Sequence, residues 1–196
     1  MGLEKKAAVV EKHQGALYSL ELDGSIRKHK DGVTISNGLE WADDNRTMYY
    51  IDSIPRKVWA YDFDLTTGNM TNERAIISFG AEDSDENFRS HGFPDGMTID
   101  TDGNLWVAGF FSSSVMKFDP STAIGTYTCN ELARVNLPAA RVTSCCFGGK
   151  SFNELFITCS AFDLSDEEKE KTPLAGSVFR ATELECRGKP ASMYEG

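Results

Sequence analysis

Long apolar runs are missing from this sequence. No stretch approaches the ~18 residues that a membrane-spanning helix requires, and the start MGLEKKAAVVEKHQG carries too much charge for the apolar segment of a secretory signal. A basic excess is missing as well: 20 Lys and Arg stand against 30 Asp and Glu, a formal net charge of −10. Such a balance repels phosphate backbones and anionic lipid, so nucleic acid and membrane surfaces are poor partners, whereas small neutral ligands and cations suit it. The five cysteines, Cys129, Cys145, Cys146, Cys159 and Cys186, show neither the even count nor the spacing of a disulfide framework. Cys145 and Cys146 are adjacent, which places their side chains on opposite faces of a strand. Reduced, mostly buried core thiols are expected, and with them a cytoplasmic location. Histidine is scarce, and His13, His29 and His91 are scattered without metal spacing, as surface or structural residues would be.

Helical periodicity is nearly absent. With 40% hydrophobic and 26% charged residues over 196 positions, the chain has a globular profile. Its recurring unit is a short β-branched and aromatic run followed by a turn rich in Asp, Gly and Asn. This predicts an all-β protein with strands at 15–21, 25–30, 38–41, 47–52, 57–64, 74–79, 97–99, 105–110, 114–119, 134–137, 143–147, 154–159 and 177–181. The run DLSDEEKEK, from Asp163, is helix-permissive and charged, and reads as a solvated excursion or a loop over a channel mouth.

Internal similarity then organises the chain. NGLEWADDNRTMYYIDSIPRKVWAYDFDLTTG, from Asn37, aligns with DGMTIDTDGNLWVAGFFSSSVMKFDPSTAIG, from Asp95, and a third copy begins at Thr143. The spacings are 58 and 48 residues, the charged insert AEDSDENFRSHG accounting for the difference. Four strands per repeat at about 40 to 50 residues is the pattern of β-propeller blades. The repeats predict a partial blade at 15–32, blades at 35–80 and 94–138, and a last blade at 142–196. That makes about three and a half blades, whereas propellers ordinarily close their ring with four to eight. The Met1 start is therefore expected to fall inside a larger fold, and unclosed blade edges are expected to favour self-association.

The motifs HQGALYSL, ISNGLEW, YYIDS, PDGMTID, GNLWVA and TSCCFGG, in this order, closely resemble the gluconolactonase family of six-bladed propellers. The resemblance covers essentially the whole chain and matches the C-terminal two thirds of the family fold. It implies metal-dependent hydrolysis of sugar lactones such as gluconolactone, and animal members are also described as calcium-binding regulators. It implies a divalent ion on the propeller axis, Ca2+ before Zn2+, Mg2+ or Mn2+, held here by Asn37 and Asp95. Its third ligand, a Glu, has no counterpart in this chain. Of the family's substrate contacts, an acidic residue before HQGALYSL matches Glu4, while an Arg and an Asn have no counterpart. Little lactonase activity is therefore expected of the isolated chain.

The residue chemistry agrees with the resemblance. First strands of propeller blades line the channel, so Asn37 and Asp95 converge on the axis, and their amide and carboxylate oxygens suit a hard cation. Such an ion acts as a Lewis acid on the lactone carbonyl, and Asp95 is placed to be the general base for the attacking water. The competing reading is turn chemistry, since Asn-Gly and Asp-Gly are common turn pairs. Asp52, Asp62, Asp64, Asp100, Asp102 and Asp119 read as turn or strand-end carboxylates. DTDGN, from Asp100, lacks the final Glu and the flanking helices of a calcium loop. The aromatic residues, including Trp41, Trp59 and Trp106, fit blade cores.

Overall fold

The computed structural model describes residues 3–6, 9–80, 90–123 and 129–193, with side chains from residue 10 onward. The regular structure of the described chain is almost entirely antiparallel sheet. A hairpin, β1 (Leu3–Lys6) and β2 (Val9–Glu11), precedes a two-stranded sheet of β3 (Gly15–Leu20) and β4 (Ile26–Val33). A four-stranded meander follows: β5 (Ser36–Trp41), β6 (Thr47–Asp52), β7 (Lys57–Asp64) and β8 (Asn69–Ser78). The next four strands repeat it: β9 (Phe93–Ile99), β10 (Leu105–Phe110), β11 (Ser114–Asp119) and β12 (Asn130–Asn136). A three-stranded sheet, β13 (Val142–Gly148), β14 (Glu154–Cys159) and β15 (Val178–Ala181), completes the order. Each strand expected from the sequence forms. The β1–β2 hairpin is additional, and MGLEKKAAVV carries no turn pair that would announce it.

Sheets stack face to face through their first strands, β5 against β9 and β9 against β13. Three apolar cores fill the gaps. Leu17, Val33, Met48 and Tyr50 pack between the first two sheets, Ile51, Ile77, Met97 and Val107 between the two meanders, and Trp106, Val115, Cys145 and Leu155 beyond. This explains why β6 and β10 read as nearly continuous apolar runs: mid-sheet strands are covered on both faces, so alternation disappears.

The repeat is also visible in the hairpin turns. Asn45 N–H donates to Ala42 O, Gly103 to Asp100 O and Phe152 to Gly149 O, and all three donors adopt positive φ, 53°, 84° and 53°. Asp100 organises its turn from the inside. Its carboxylate accepts from the N–H groups of Asp102 and Asn104 and from Trp106 Nε1, and pairs with Lys117 Nζ at 2.9 Å.

DLSDEEKEK forms one short helix, α1 (Asp166–Lys171), in the β14–β15 connection, opened by a capping box between Ser165 and Glu168 and bearing no buried residue. After β15 the chain turns back across the sheets. Arg187 O accepts from Thr101 N–H, Gly188 N–H donates to Phe152 O, and Lys189 Nζ pairs with Asp43 at 2.5 Å. Three consecutive residues thus tie three sheets together.

Candidate metal centre

Asn37 lies on β5, the first strand of its sheet. β5 pairs Ser36 with Asp52 and Leu39 with Tyr50, so Asn37 and Gly38 together face Ile51 and the strand carries one extra residue. On β9, Pro94 pairs with Gly109 and Met97 with Val107, which sets Asp95 and Gly96 against Ala108 in the same way. On β13 the register slips between Val142 and Ser144, at Thr143. Three consecutive first strands therefore bulge at the repeat-equivalent position, and a bulge re-aims the side chain it carries.

The Asn-Gly and Asp-Gly pairs are thus not turns. Neither Gly38 nor Gly96 adopts positive φ. Each is small because a strand passes against it: a Cβ on Gly38 would lie 2.6 Å from Met97 Cβ, and one on Gly96 would lie 2.2 Å from Ser144 Oγ and 2.8 Å from Ser144 Cα. Absence of a side chain permits the close approach of β5, β9 and β13.

The segment entering β5 is held by Asp52. Its buried carboxylate accepts from Thr34 N–H at 3.0 Å and Ile35 N–H at 2.9 Å, and Ser53 N–H returns a bond to Ile35 O at 3.0 Å. Asn37 Nδ2 donates to Ser53 Oγ at 3.0 Å. This contact uses the amide as donor and leaves Oδ1 as its acceptor. Ser36 Oγ shares a hydrogen bond of 2.5 Å with Tyr50 OH, whose acidity burial lowers.

Asn37 and Asp95, 58 residues apart in sequence, line one cavity of about 240 Å³. Its other walls are Ile35, Ser53, Ile54, Phe93 and Phe110. The sequence singles out neither Ser53 nor Phe93, and Phe110 reads there as a blade-core aromatic, not as a cavity wall. Ser53 stands inside YYIDS, but nothing in a linear motif says that its hydroxyl reaches an asparagine sixteen positions earlier.

Thr143, at the third bulge, pairs its hydroxyl with Thr158 Oγ1 at 2.8 Å and does not line the cavity. Glu4 falls in β1, its backbone paired with Val10, and its side chain lies outside the described part. Among the described residues no group of three or more His, Cys, Asp and Glu gathers as a metal cluster. A second cavity, of about 370 Å³, lies toward the far ends of the same first strands under Lys189–Ser192. There burial pushes the Glu40 carboxyl up, against hydrogen bonds from Thr98 and the Trp41 N–H. Among the described residues, four cysteines are buried, Cys146 is exposed, and all five are free thiols. No helix among the described residues is long and apolar enough to cross a membrane.

Comparison with known proteins places this architecture. The family model described as SMP-30/Gluconolactonase/LRE-like region matches residues 1–161. Regucalcin of Oryctolagus cuniculus is 41% identical and that of Homo sapiens 40% identical over 196 residues, all of this chain and 61% of each relative. The chain thus spans about three fifths of the length of these curated relatives. A solved luciferin-regenerating enzyme superposes with a TM-score of 0.79 at 35% identity, covering 92% of this chain and 55% of that one. A calcium-binding protein, regucalcin, from Agrobacterium tumefaciens shares the fold at a TM-score of 0.78 and 23% identity, over 91% and 55% of the two chains. The chain belongs to the SMP-30/gluconolactonase/LRE-like family, and its stacked sheets are a portion of that family's β-propeller.

Proposed function

We propose that Asn37 and Asp95 supply two ligands to the divalent-cation site of a sugar-lactone hydrolase of the gluconolactonase kind, with calcium as the ion. One observation carries the reading: two equivalent bulges on adjacent first strands bring an amide and a carboxylate to the same cavity. The donor set fits the ion. Both groups offer hard oxygens, no Cys or His is among the lining residues, and the volume accommodates water and substrate beside a cation. Magnesium, manganese and zinc accept oxygen donors too, but calcium tolerates the irregular geometry of a site completed by water and substrate.

In this reading Ser53 holds the Asn37 amide so that Oδ1 serves as ligand. Asp95 binds the ion and takes the proton of the attacking water. Phe93, Phe110 and Ile35 wall the site and keep bulk water from the lactone. Glu4 is the proposed contact to the sugar. The ion, when bound, polarises the lactone carbonyl as a Lewis acid. Since the chain spans 61% of its curated relatives, turnover by these residues alone is expected to be low.

A second reading, a calcium-binding regulator without physiological turnover, shares the same site; a structural relative is described as a calcium-binding protein. The acidic balance accords with cation and neutral-sugar partners rather than nucleic acid or membrane. Among the described residues β3 pairs only with β4 and β15 only with β14, and these open edges are the proposed route of self-association. The free thiols accord with a cytoplasmic location.

Calcium calorimetry with and without gluconolactone tests both readings. Asp95→Ala is expected to abolish binding, and an unchanged isotherm overturns the site. A catalytic ion shows coupling to the lactone, whereas a regulatory site binds calcium indifferently.

A further inference from the structure

We propose that Arg56 is the positioning residue that sets the separation of Asn37 and Asp95, and with it the site's preference among divalent ions. The inference rests on the metal-site reading above. Arg56 occupies the β6–β7 turn, 1% exposed and with φ of 54°. Its backbone belongs to the Asn37 sheet: its N–H donates to Ser53 O at 3.0 Å, and its own O accepts from Phe79 N–H at 3.0 Å. Its side chain spans from the end of that sheet, just past β8, to the segment that enters β9. Nε donates to Gly92 O at 3.0 Å and Nη1 to Gly80 O at 3.3 Å.

A continuous path results. Asn37 Nδ2 binds Ser53 Oγ, Ser53 O binds Arg56 N–H, Arg56 Nε binds Gly92 O, and Gly92 stands three residues before Asp95. Gly92 itself runs close against the backbone of a cavity wall, for a Cβ there would lie 1.9 Å from Phe110 O. The first strand of one sheet is thereby gauged against the first strand of the next by a planar fork. Arginine suits this task because its donors diverge in a fixed plane and its charge persists when buried, whereas lysine offers a single flexible nitrogen. Ligand spacing matters to ion choice, since calcium takes oxygens at roughly 2.3–2.6 Å and magnesium at roughly 2.0–2.1 Å in stricter geometry.

The test titrates calcium and magnesium separately into the 196-residue chain and into Arg56→Met, Arg56→Lys and Asp95→Ala, following the amide resonances of Gly38 and Gly96. Arg56→Met is expected to weaken calcium about tenfold, as loss of groups that orient metal ligands does, and to change the calcium-to-magnesium affinity ratio. A partly unfolded variant would lower both affinities by the same factor and leave the ratio unchanged. Arg56→Lys, which keeps the buried charge on a single donor nitrogen, is expected to fall between, and it carries the test if the Met variant does not fold. Native affinities and ratio in the Arg56 variants, with binding lost in Asp95→Ala, overturn the role of Arg56 alone. Native binding in Asp95→Ala overturns the site itself.

Discussion

Lys117 Nζ pairs with Asp100 at 2.9 Å, and the carboxylate it meets has no exposed side-chain surface. Trp106 Nε1 donates to the same carboxylate from the neighbouring strand, and the N–H groups of Asp102 and Asn104 close the turn onto it. Removing Asp100 leaves an ammonium and an indole N–H without their partner in a nearly dry place. Asp100→Ala is expected to cost about 3–5 kcal/mol, as breaking one side of a buried pair does. Urea denaturation measures it, and a loss below ~1 kcal/mol would show the pair to be incidental.

The same carboxyl predicts an acid response. Burial opposes its charge, but hydrogen bonds from Trp106 and Lys117 outweigh burial and hold it below the ordinary carboxylate value. A group whose folded value lies below its unfolded one stabilises fully above the unfolded value, near pH 3.9, and the contribution disappears as pH falls through the folded value. The urea midpoint of the native chain should therefore drop below about pH 4. Asp100→Asn should show a shallower drop, and parallel curves would refute the assignment.

Gly38 and Gly96 are close-approach residues, so alanine should be harmful at both. With Cβ positions 2.6 Å from Met97 Cβ and 2.2 Å from Ser144 Oγ, each substitution is expected to cost about 1–3 kcal/mol. Gly96→Ala should be the worse, because Ser144 Cα at 2.8 Å is backbone and can move only with its strand. Thermal melts rank the two variants, and native-like stability in both would revive the turn reading.

Thiol reactivity should separate the adjacent cysteines. Cys146 is exposed while Cys145 is buried and its thiol pushed up by burial, and burial likewise raises Cys129 to about 11. Iodoacetamide at pH 8 should modify Cys146 rapidly in the native chain and the remaining four only on unfolding. Mass spectrometry counts the adducts, and rapid native labelling of Cys145 would contradict the packing of β13.

The segment after β15 should behave as a clasp. Deleting residues 187–196 removes the bonds of Arg187 and Gly188 to Thr101 and Phe152 and the Lys189–Asp43 pair. Two hydrogen bonds of about 1 kcal/mol each and an exposed ion pair worth under about 1 kcal/mol suggest a loss near 2 kcal/mol, read from urea midpoints. An unchanged midpoint would show the segment to be passive.

Particular residues show how far the chain could be read without coordinates. The order of strands from Gly15 to Ala181 was legible because β6 and β10 are long apolar runs bounded by Asp-rich turns, signals that local composition carries. The alignment of Asn37, Asp95 and Thr143 was legible from the repeat alone. Asn37-Gly38 remained ambiguous, since a turn and a bulge both favour small and polar residues, and only a partner strand distinguishes them. The contacts of Ser53 and Arg56 and the place of Phe110 in the cavity wall were illegible because each spans a gap of 16 to 73 positions to another element.

What the amino-acid order determined by itself is the kind of structure and which of its positions correspond: period-two and apolar runs compel sheet, and repetition compels equivalence. Tertiary structure alone decided where those positions stand. It turned two apparent turn pairs into bulges, brought their side chains to one cavity, and showed that their glycines are small because strands pass against them. The physical reason is range. Strand formation answers to neighbours in sequence, whereas the approach of one first strand to the next is decided between sheets, where a single Cβ outweighs every local preference.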